Sequence, residues 1–342
     1  MSPVHSTNLA IIAFAAVAPL VSAPAQSVGA AAPPARRYVC DSLPTKAGAP
    51  QLIVLPTRYS NDRFFAVPVT TSGDTLLWFM DSGGGGVWVK RPILEQMGIT
   101  SRFLLVENGD TVYSGGPFPT FAPGASIPAP RCNGGQIEFS ASARTPLPLT
   151  GAIGMLGNTY FAGRVWVFDY PARTAAVYDQ PPPPRPFGPH TIPMTLRQPP
   201  RVNHPRIQVL VAGDTIDMLL DTGASSELTP SGLQTIGGPA GWRASAFVTT
   251  PQWNKWRATH PEWRVVPKGE AHMNADMIEV PSLTIAGYEV GPVWFAKRSD
   301  RSYAGTLRMM DKPIQASLGG VALRPFRITM DYVNQRVTFE RQ

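Results

Sequence analysis

Charged residues are scarce in this chain: they make up 15% of its 342 residues, against 43% apolar. That balance excludes a disordered polymer and suits a chain that builds a sizeable core. Long helical periodicity is missing as well. Short runs rich in Val, Ile, Phe and Trp recur between turn signals, and 31 Gly and 37 Pro supply the turns. The pattern points to a mostly β protein. The long apolar run, Leu9 to Val21, has 13 residues, short of the roughly 20 that span a bilayer, so no stable membrane anchor is expected. The net charge of +7 is scattered, with no basic helix and no Lys/Arg cluster alternating with aromatics. It implies a cationic surface and no nucleic-acid partner.

Several catalytic signatures are absent too. No G-K-[ST] follows the four glycines Gly83 to Gly86, which excludes a phosphate loop. There is no G-x-S-x-G elbow for a serine hydrolase of that type, and no H-E-x-x-H. His260 and His272 lie near Glu270 and Asp276, where an exposed loop accounts for them better than a metal site. No metal or other cofactor is expected. Trp253, Trp256 and Trp263 in the same stretch read as packing residues.

The N-terminus, residues 1–25, reads as an export signal. Its apolar run ends in small residues, Val21, Ala23 and Ala25, that offer a cleavage site. Its first segment holds His5 but no Lys or Arg, and a membrane anchor is the rival reading. Residues 26–50 are an Ala- and Pro-rich leader. Export implies a periplasmic or secreted protein. In such an oxidising compartment the two cysteines, Cys40 and Cys132, are expected to form one disulfide. A Pro run, Pro181 to Pro184, marks a semi-rigid linker over residues 181–200. It separates a first lobe, 51–180, from a second, 201–342.

The two lobes repeat each other. Gly73-Asp74-Thr75 precedes Asp81 by eight residues, and Gly213-Asp214-Thr215 precedes Asp221 by eight. Each reads as a hairpin turn feeding a buried strand that ends at an aspartate. Ser82-Gly83 and Thr222-Gly223 follow. Further on, Met155-Leu156-Gly157 answers Ser317-Leu318-Gly319, and Phe168-Asp169-Tyr170 answers Met330-Asp331-Tyr332, each twelve residues past its glycine. The strand-like Thr174 to Tyr178 answers Arg336 to Glu340. Two blocks in order, with their internal spacing kept, indicate a duplicated unit. The second copy carries a net 22 extra residues between its blocks.

D-[ST]-G at the end of a buried strand has a mechanical reason. The strand delivers the carboxylate to a sharp turn, and the hydroxyl residue bonds nearby backbone. Two such turns face to face bring two carboxylates around one water. They cannot both ionise, so one proton is shared. The charged partner takes a proton from the water, and the protonated partner donates to the carbonyl oxygen under attack.

Here the chain resembles the pepsin-like and retropepsin-like aspartic peptidases. Asp81-Ser82-Gly83 runs on to Val87-Trp88-Val89, at the spacing of that family's L-W-V, and Asp221-Thr222-Gly223-Ala224-Ser225 is similar to the retropepsin D-T-G-A-S. The two Leu-Gly blocks match the family's second motif, whose strand packs behind the catalytic turn. The likeness covers roughly 60–179 and 205–341. It implies a mostly β protein with two related lobes of the pepsin-like acid protease fold and a central cleft. It also implies catalytic Asp81 and Asp221, supported by Ser82, Gly83, Thr222 and Gly223. Tyr113-Ser114-Gly115-Gly116 is the candidate flap tip, similar to Y-G-T-G. Pro92 to Gly98 and Thr229-Pro230 to Gly237 read as matching short helices. The chain departs from the family at Gly84 and Ala224, where a Ser or Thr hydroxyl is usual. The implied function is an endopeptidase, monomeric, acting on polypeptide substrate. The alternative is a non-catalytic peptide- or ligand-binding protein of the same fold.

Overall fold

The computed structural model describes residues 47–99, 103–107, 110–132, 135–140, 151–184, 186–197, 204–301, 303 and 310–342. The expected export signal, most of the leader and Cys40 lie outside the described residues. Cys132 is buried, at 2% exposure.

Each lobe is built on one large sheet, and the two sheets have the same plan. In the first lobe the strands run in the order Arg63–Ala66, Trp78–Met80, Gly154–Leu156, Val87–Lys90, Gln136–Ser140, Asp110–Pro117, Phe103–Glu107, with Thr57–Ser60 at one edge. The second lobe orders Arg206–Val211, Asp214–Leu220, Ala316–Leu318, Ala246–Thr249, Val293–Arg298, Ala275–Val280 and Val265–Glu270 identically. In both, the strand that ends at the aspartate pairs in parallel with the later Leu-Gly block, Met80 with Leu156 and Leu220 with Leu318. A third strand then pairs antiparallel on the block's far side, Trp88 with Met155 and Phe247 with Ser317. The aspartate strand is therefore central and covered on both sides, which is why its residues Trp78, Met80, Met218 and Leu220 are all fully buried.

A six-stranded sheet joins the lobes, in the order Leu52–Val54, Thr174–Tyr178, Val165–Asp169, Phe326–Asp331, Arg336–Arg341, Thr191–Pro193. Its two central strands are the matched Asp-Tyr segments of the repeat, and they pair with each other. Val167 faces Thr329, while Trp166 faces Met330 and Phe168 faces Ile328. Those pairings put an approximate two-fold axis through Val167 and Thr329. Trp166, Phe168, Phe326 and Phe339 are fully buried against this sheet. The stretch read as linker is not linker throughout, because Thr191–Pro193 forms an edge strand on Arg336–Arg341. Its proline sits at a sheet edge, where the missing N–H leaves no ladder bond unmade.

The extra residues of the second copy lie between its two blocks, and the strand register locates them. Trp88 follows Asp81 by seven residues, while its structural match Phe247 follows Asp221 by 26. Most of the insertion thus sits directly after the second aspartate turn. It forms the short ladder of Ser225–Ser226 with Arg243–Ala244 and the helix Pro230–Ile236. That helix has the expected cap, Thr229 Oγ1 accepting from Gly232 N at 3.2 Å. It is not the counterpart of helix Arg91–Gln96. The helix that follows the matched strand is Thr250–Thr259. Trp253, Trp256 and Trp263 are buried at 5%, 1% and 8%, as packing residues should be. His260 stacks on Trp263. His272 stacks on Trp242 and bonds Glu227 at 2.8 Å. Glu270 accepts the backbone N–H groups of His272 and Met273. Among the described residues no cluster of three His, Cys, Asp or Glu is placed to hold a metal.

Candidate active site

Asp81 and Asp221 meet at the junction of the lobes. Each leaves its strand through a backbone bond to the block behind it, Asp81 N to Leu156 O and Asp221 N to Leu318 O, both at 3.0 Å. The following glycines are needed for the approach itself. A Cβ on Gly83 would stand 2.3 Å from Asp221 Cγ, and one on Gly223 would stand 2.1 Å from Asp81 Cγ. Each turn therefore packs its bare backbone against the other lobe's carboxylate.

Ser82 and Thr222 lock the two turns together. Thr222 Oγ1 accepts from Ser82 N at 3.0 Å and donates to Met80 O at 3.1 Å. Ser82 Oγ accepts from Thr222 N at 3.0 Å and donates to Leu220 O at 2.7 Å. All four bonds cross between the lobes, and they are related by the same approximate two-fold. Both side chains are buried, at 0% and 1%, so each hydroxyl uses its donor and an acceptor site on protein alone.

The two carboxylates act on each other, and on top of burial the Asp221 charge lifts Asp81. Gly83 N donates to Asp81 Oδ1 at 3.0 Å, and Gly223 N donates to Asp221 Oδ1 at 3.1 Å. Burial raises both pKa values, and the two sites diverge in what else acts on them. Asp81 is pushed well up by burial, then by the Asp221 charge, against the N–H groups of Gly83 and Gly84. Asp221 is raised less. The neighbouring Asp81 carboxyl, the Gly223 and Ala224 N–H groups and the Arg298 guanidinium all favour its charged form. The pair therefore titrates as a unit, with both members lifted above the ordinary carboxylate range.

The remaining predicted residue, Tyr113, lies inside strand Asp110–Pro117, opposite Leu105 on one side and Ser140 on the other. It is not at a hairpin tip. Gly115 and Gly116 are strand residues too, and the hairpin turns between Glu107 and Asp110. The sequence reading missed four residues at the site. Arg298 ends strand Val293–Arg298 and stacks its guanidinium 3.7 Å from the Phe247 ring centre. Ser225 Oγ donates to Gly223 O at 2.8 Å. Asn158 follows the first Leu-Gly block, and His204 precedes strand Arg206–Val211. Both of these reach the glycine turn after Asp81. Ser225 had a signal as the last residue of the motif that begins at Asp221, and Asn158 as the residue directly after a repeated one.

Buried titratable groups of opposite kinds make stability depend on pH in opposite senses. The aspartates have raised pKa values in the folded state. Their contribution is complete below the unfolded carboxylate value, about 3.9, and is lost as pH rises through the folded values. His204 is depressed from 6.5 to about 4 by burial. Its contribution is complete above 6.5 and is lost as pH falls through about 4, a span of about 3 kcal/mol. Between those limits the two contributions change in opposite senses and offset each other, so their signs show in the variants. Asp221→Asn should raise the midpoint near pH 7 and leave it unchanged near pH 3. His204→Gln should flatten the acid limb. Calorimetry of the three proteins across pH checks both signs.

No family model matches the chain, and neither does any curated protein. Among solved structures it is similar to the crystal structure of an aspartic proteinase from Irpex lacteus, at 12% identity and a TM-score of 0.45. That match covers 86% of this chain and 98% of the other. No helix among the described residues is long and apolar enough to cross a membrane.

Proposed function

We propose that this chain is an exported aspartic endopeptidase. The observation that carries the reading is the pair of aspartates, related by the two-fold of the fold and each packed against the bare backbone of the other's turn, across turns that lock one another. An extended polypeptide would lie between the lobes, held by strand-like backbone bonds. Asp221 takes a proton from a water as its oxygen attacks the scissile carbonyl. Asp81 donates its proton to the carbonyl oxygen. Collapse of the tetrahedral species breaks the C–N bond, and the proton taken by Asp221 passes to the leaving amine. As the carbonyl re-forms, the hydroxyl proton of the tetrahedral species returns to Asp81, which restores the one shared proton of the dyad.

In this reading the hairpin of Phe103–Glu107 and Asp110–Pro117, which carries Tyr113, is the flap. The protein acts as a monomer in the periplasm or outside the cell, without a cofactor, nucleic acid or membrane anchor. A Cys40–Cys132 bridge ties the leader to the first lobe. The test is cleavage of a reduced, alkylated protein substrate across pH 3–7, followed by mass spectrometry of the fragments. Fragments formed by the wild type and not by Asp81→Asn or Asp221→Asn are expected. No fragments at any pH would overturn the peptidase and leave a peptide- or ligand-binding protein of this fold.

A further inference from the structure

The two catalytic turns are built from different materials. After Asp221 come Gly223, Ala224 and Ser225, and the turn holds its own carbonyl, Ser225 Oγ donating to Gly223 O at 2.8 Å. After Asp81 come four glycines, so Gly85 stands where Ser225 stands and offers no hydroxyl. Two side chains from outside the turn take hold of it. His204 Nε2 lies 2.9 Å from Gly83 O, and Asn158 Nδ2 donates to Gly84 O at 2.6 Å. Asn158 Nδ2 also lies 2.9 Å from His204 Nδ1 and 3.0 Å from Nε2. A carbonyl can only accept, so Nε2 carries the hydrogen and Nδ1 is the acceptor for the Asn158 amide. Both side chains are 0% exposed.

One peptide plane links this pair to the chemistry. The Gly84 N–H donates to the Asp81 main-chain carbonyl at 3.1 Å, closing the turn, and it belongs to the same planar unit as the Gly83 carbonyl that His204 holds. The two groups lie in the plane and point in opposite directions. Fixing the carbonyl on His204 therefore aims the N–H at Asp81. With glycine on both sides, little else resists rotation of the plane. A half-turn would break the bond that closes the turn and loosen the neighbouring Gly83 N–H, which donates to Asp81 Oδ1 at 3.0 Å.

We infer that His204 and Asn158 are positioning residues for Asp81, which hold the Gly83 and Gly84 carbonyls as Ser225 holds the Gly223 carbonyl after Asp221. His204 comes from the second lobe, so the support for the first lobe's aspartate is supplied across the lobe junction. The kinetic consequence rests on the proposed peptidase reading, whereas the structural consequence does not.

The experiment measures amide hydrogen exchange over Asp81–Val87 in the full chain, beside kcat, KM and the pH profile. In His204→Ala, exchange at Gly83–Gly86 should quicken about tenfold, since a buried hydrogen bond to the turn is lost. Strands Val165–Asp169 and Phe326–Asp331 should exchange as in the wild type. kcat should fall about 10- to 100-fold with KM within about twofold, because the loss is one of orientation and not of substrate contact. The alkaline limb of kcat/KM should move to higher pH, since a loosened turn weakens the Gly83 N–H bond to the charged form of Asp81, the proton donor. His204→Gln, whose amide can still donate to Gly83 O, should recover part of both effects. Should His204→Ala fail to fold, Asn158→Ala read the same way removes the other half of the clamp. Wild-type exchange at the turn in a folded variant would overturn the inference. If the wild type cleaves nothing, the peptidase reading fails, and exchange alone decides the clamp.

Discussion

Asp81→Asn and Asp221→Asn should each abolish peptide hydrolysis while the fold stays intact. Asn keeps the shape of the carboxylate and still accepts from the turn N–H groups that bond each aspartate, Gly83 N and Gly223 N. It cannot ionise or carry the shared proton. General acid–base help is worth on the order of 10²–10⁴ in rate, and both halves of it fail together here. The two single variants and the double variant should therefore be alike in kcat, because groups acting as one unit are not additive. Steady-state assays with circular dichroism as the folding control check this. A folded single variant that keeps most of its activity would mean that the two carboxylates do not work as a pair.

Gly83→Ala and Gly223→Ala should be nearly as damaging, for a steric reason alone. Each added methyl would sit within 2.5 Å of the opposite carboxylate, 2.3 Å from Asp221 Cγ and 2.1 Å from Asp81 Cγ. Contacts that short do not exist in proteins, so the turns must separate. The bonds of Ser82 and Thr222 oppose the separation. A displacement on the order of 1 Å at a reacting group costs about 10²-fold in rate. Each variant should lose at least about that in kcat and also unfold at lower temperature, because four buried inter-lobe hydrogen bonds are stretched. Normal kcat in either variant would show that the lobes approach each other with room to spare.

The duplication and the dyad were legible in the sequence because both are local and repeated. The aspartate turns, the Leu-Gly blocks and the closing strands keep their spacing, and spacing survives in a one-dimensional record. What escaped was set by pairing between distant segments. The position of the 22-residue surplus was invisible, since Val87-Trp88-Val89 has no sequence echo at Ala246–Thr249; only the strand register equates them. The helix after Thr229 was visible from its cap and its Pro, but its supposed match to the helix after Lys90 was an error of alignment. Tyr113 was misplaced by motif likeness, because a Tyr-x-Gly-Gly run says nothing of where a hairpin turns. His204 and Asn158 are 46 residues apart and meet only through tertiary structure. A lone histidine before a strand carries no signal of that kind.

The central claim is that Asp81 and Asp221 share one proton. Carbon-13 NMR of the aspartate carboxyl groups, titrated from pH 2 to 8 and assigned with the two Asn variants, tests it most directly. The wild type should show two steps, the later one far above the ordinary carboxylate range and each seen at both carboxyl carbons. In Asp81→Asn a single step should remain, belonging to Asp221. Two independent titrations near the usual carboxylate value, each unchanged when the other aspartate is replaced, would contradict the account.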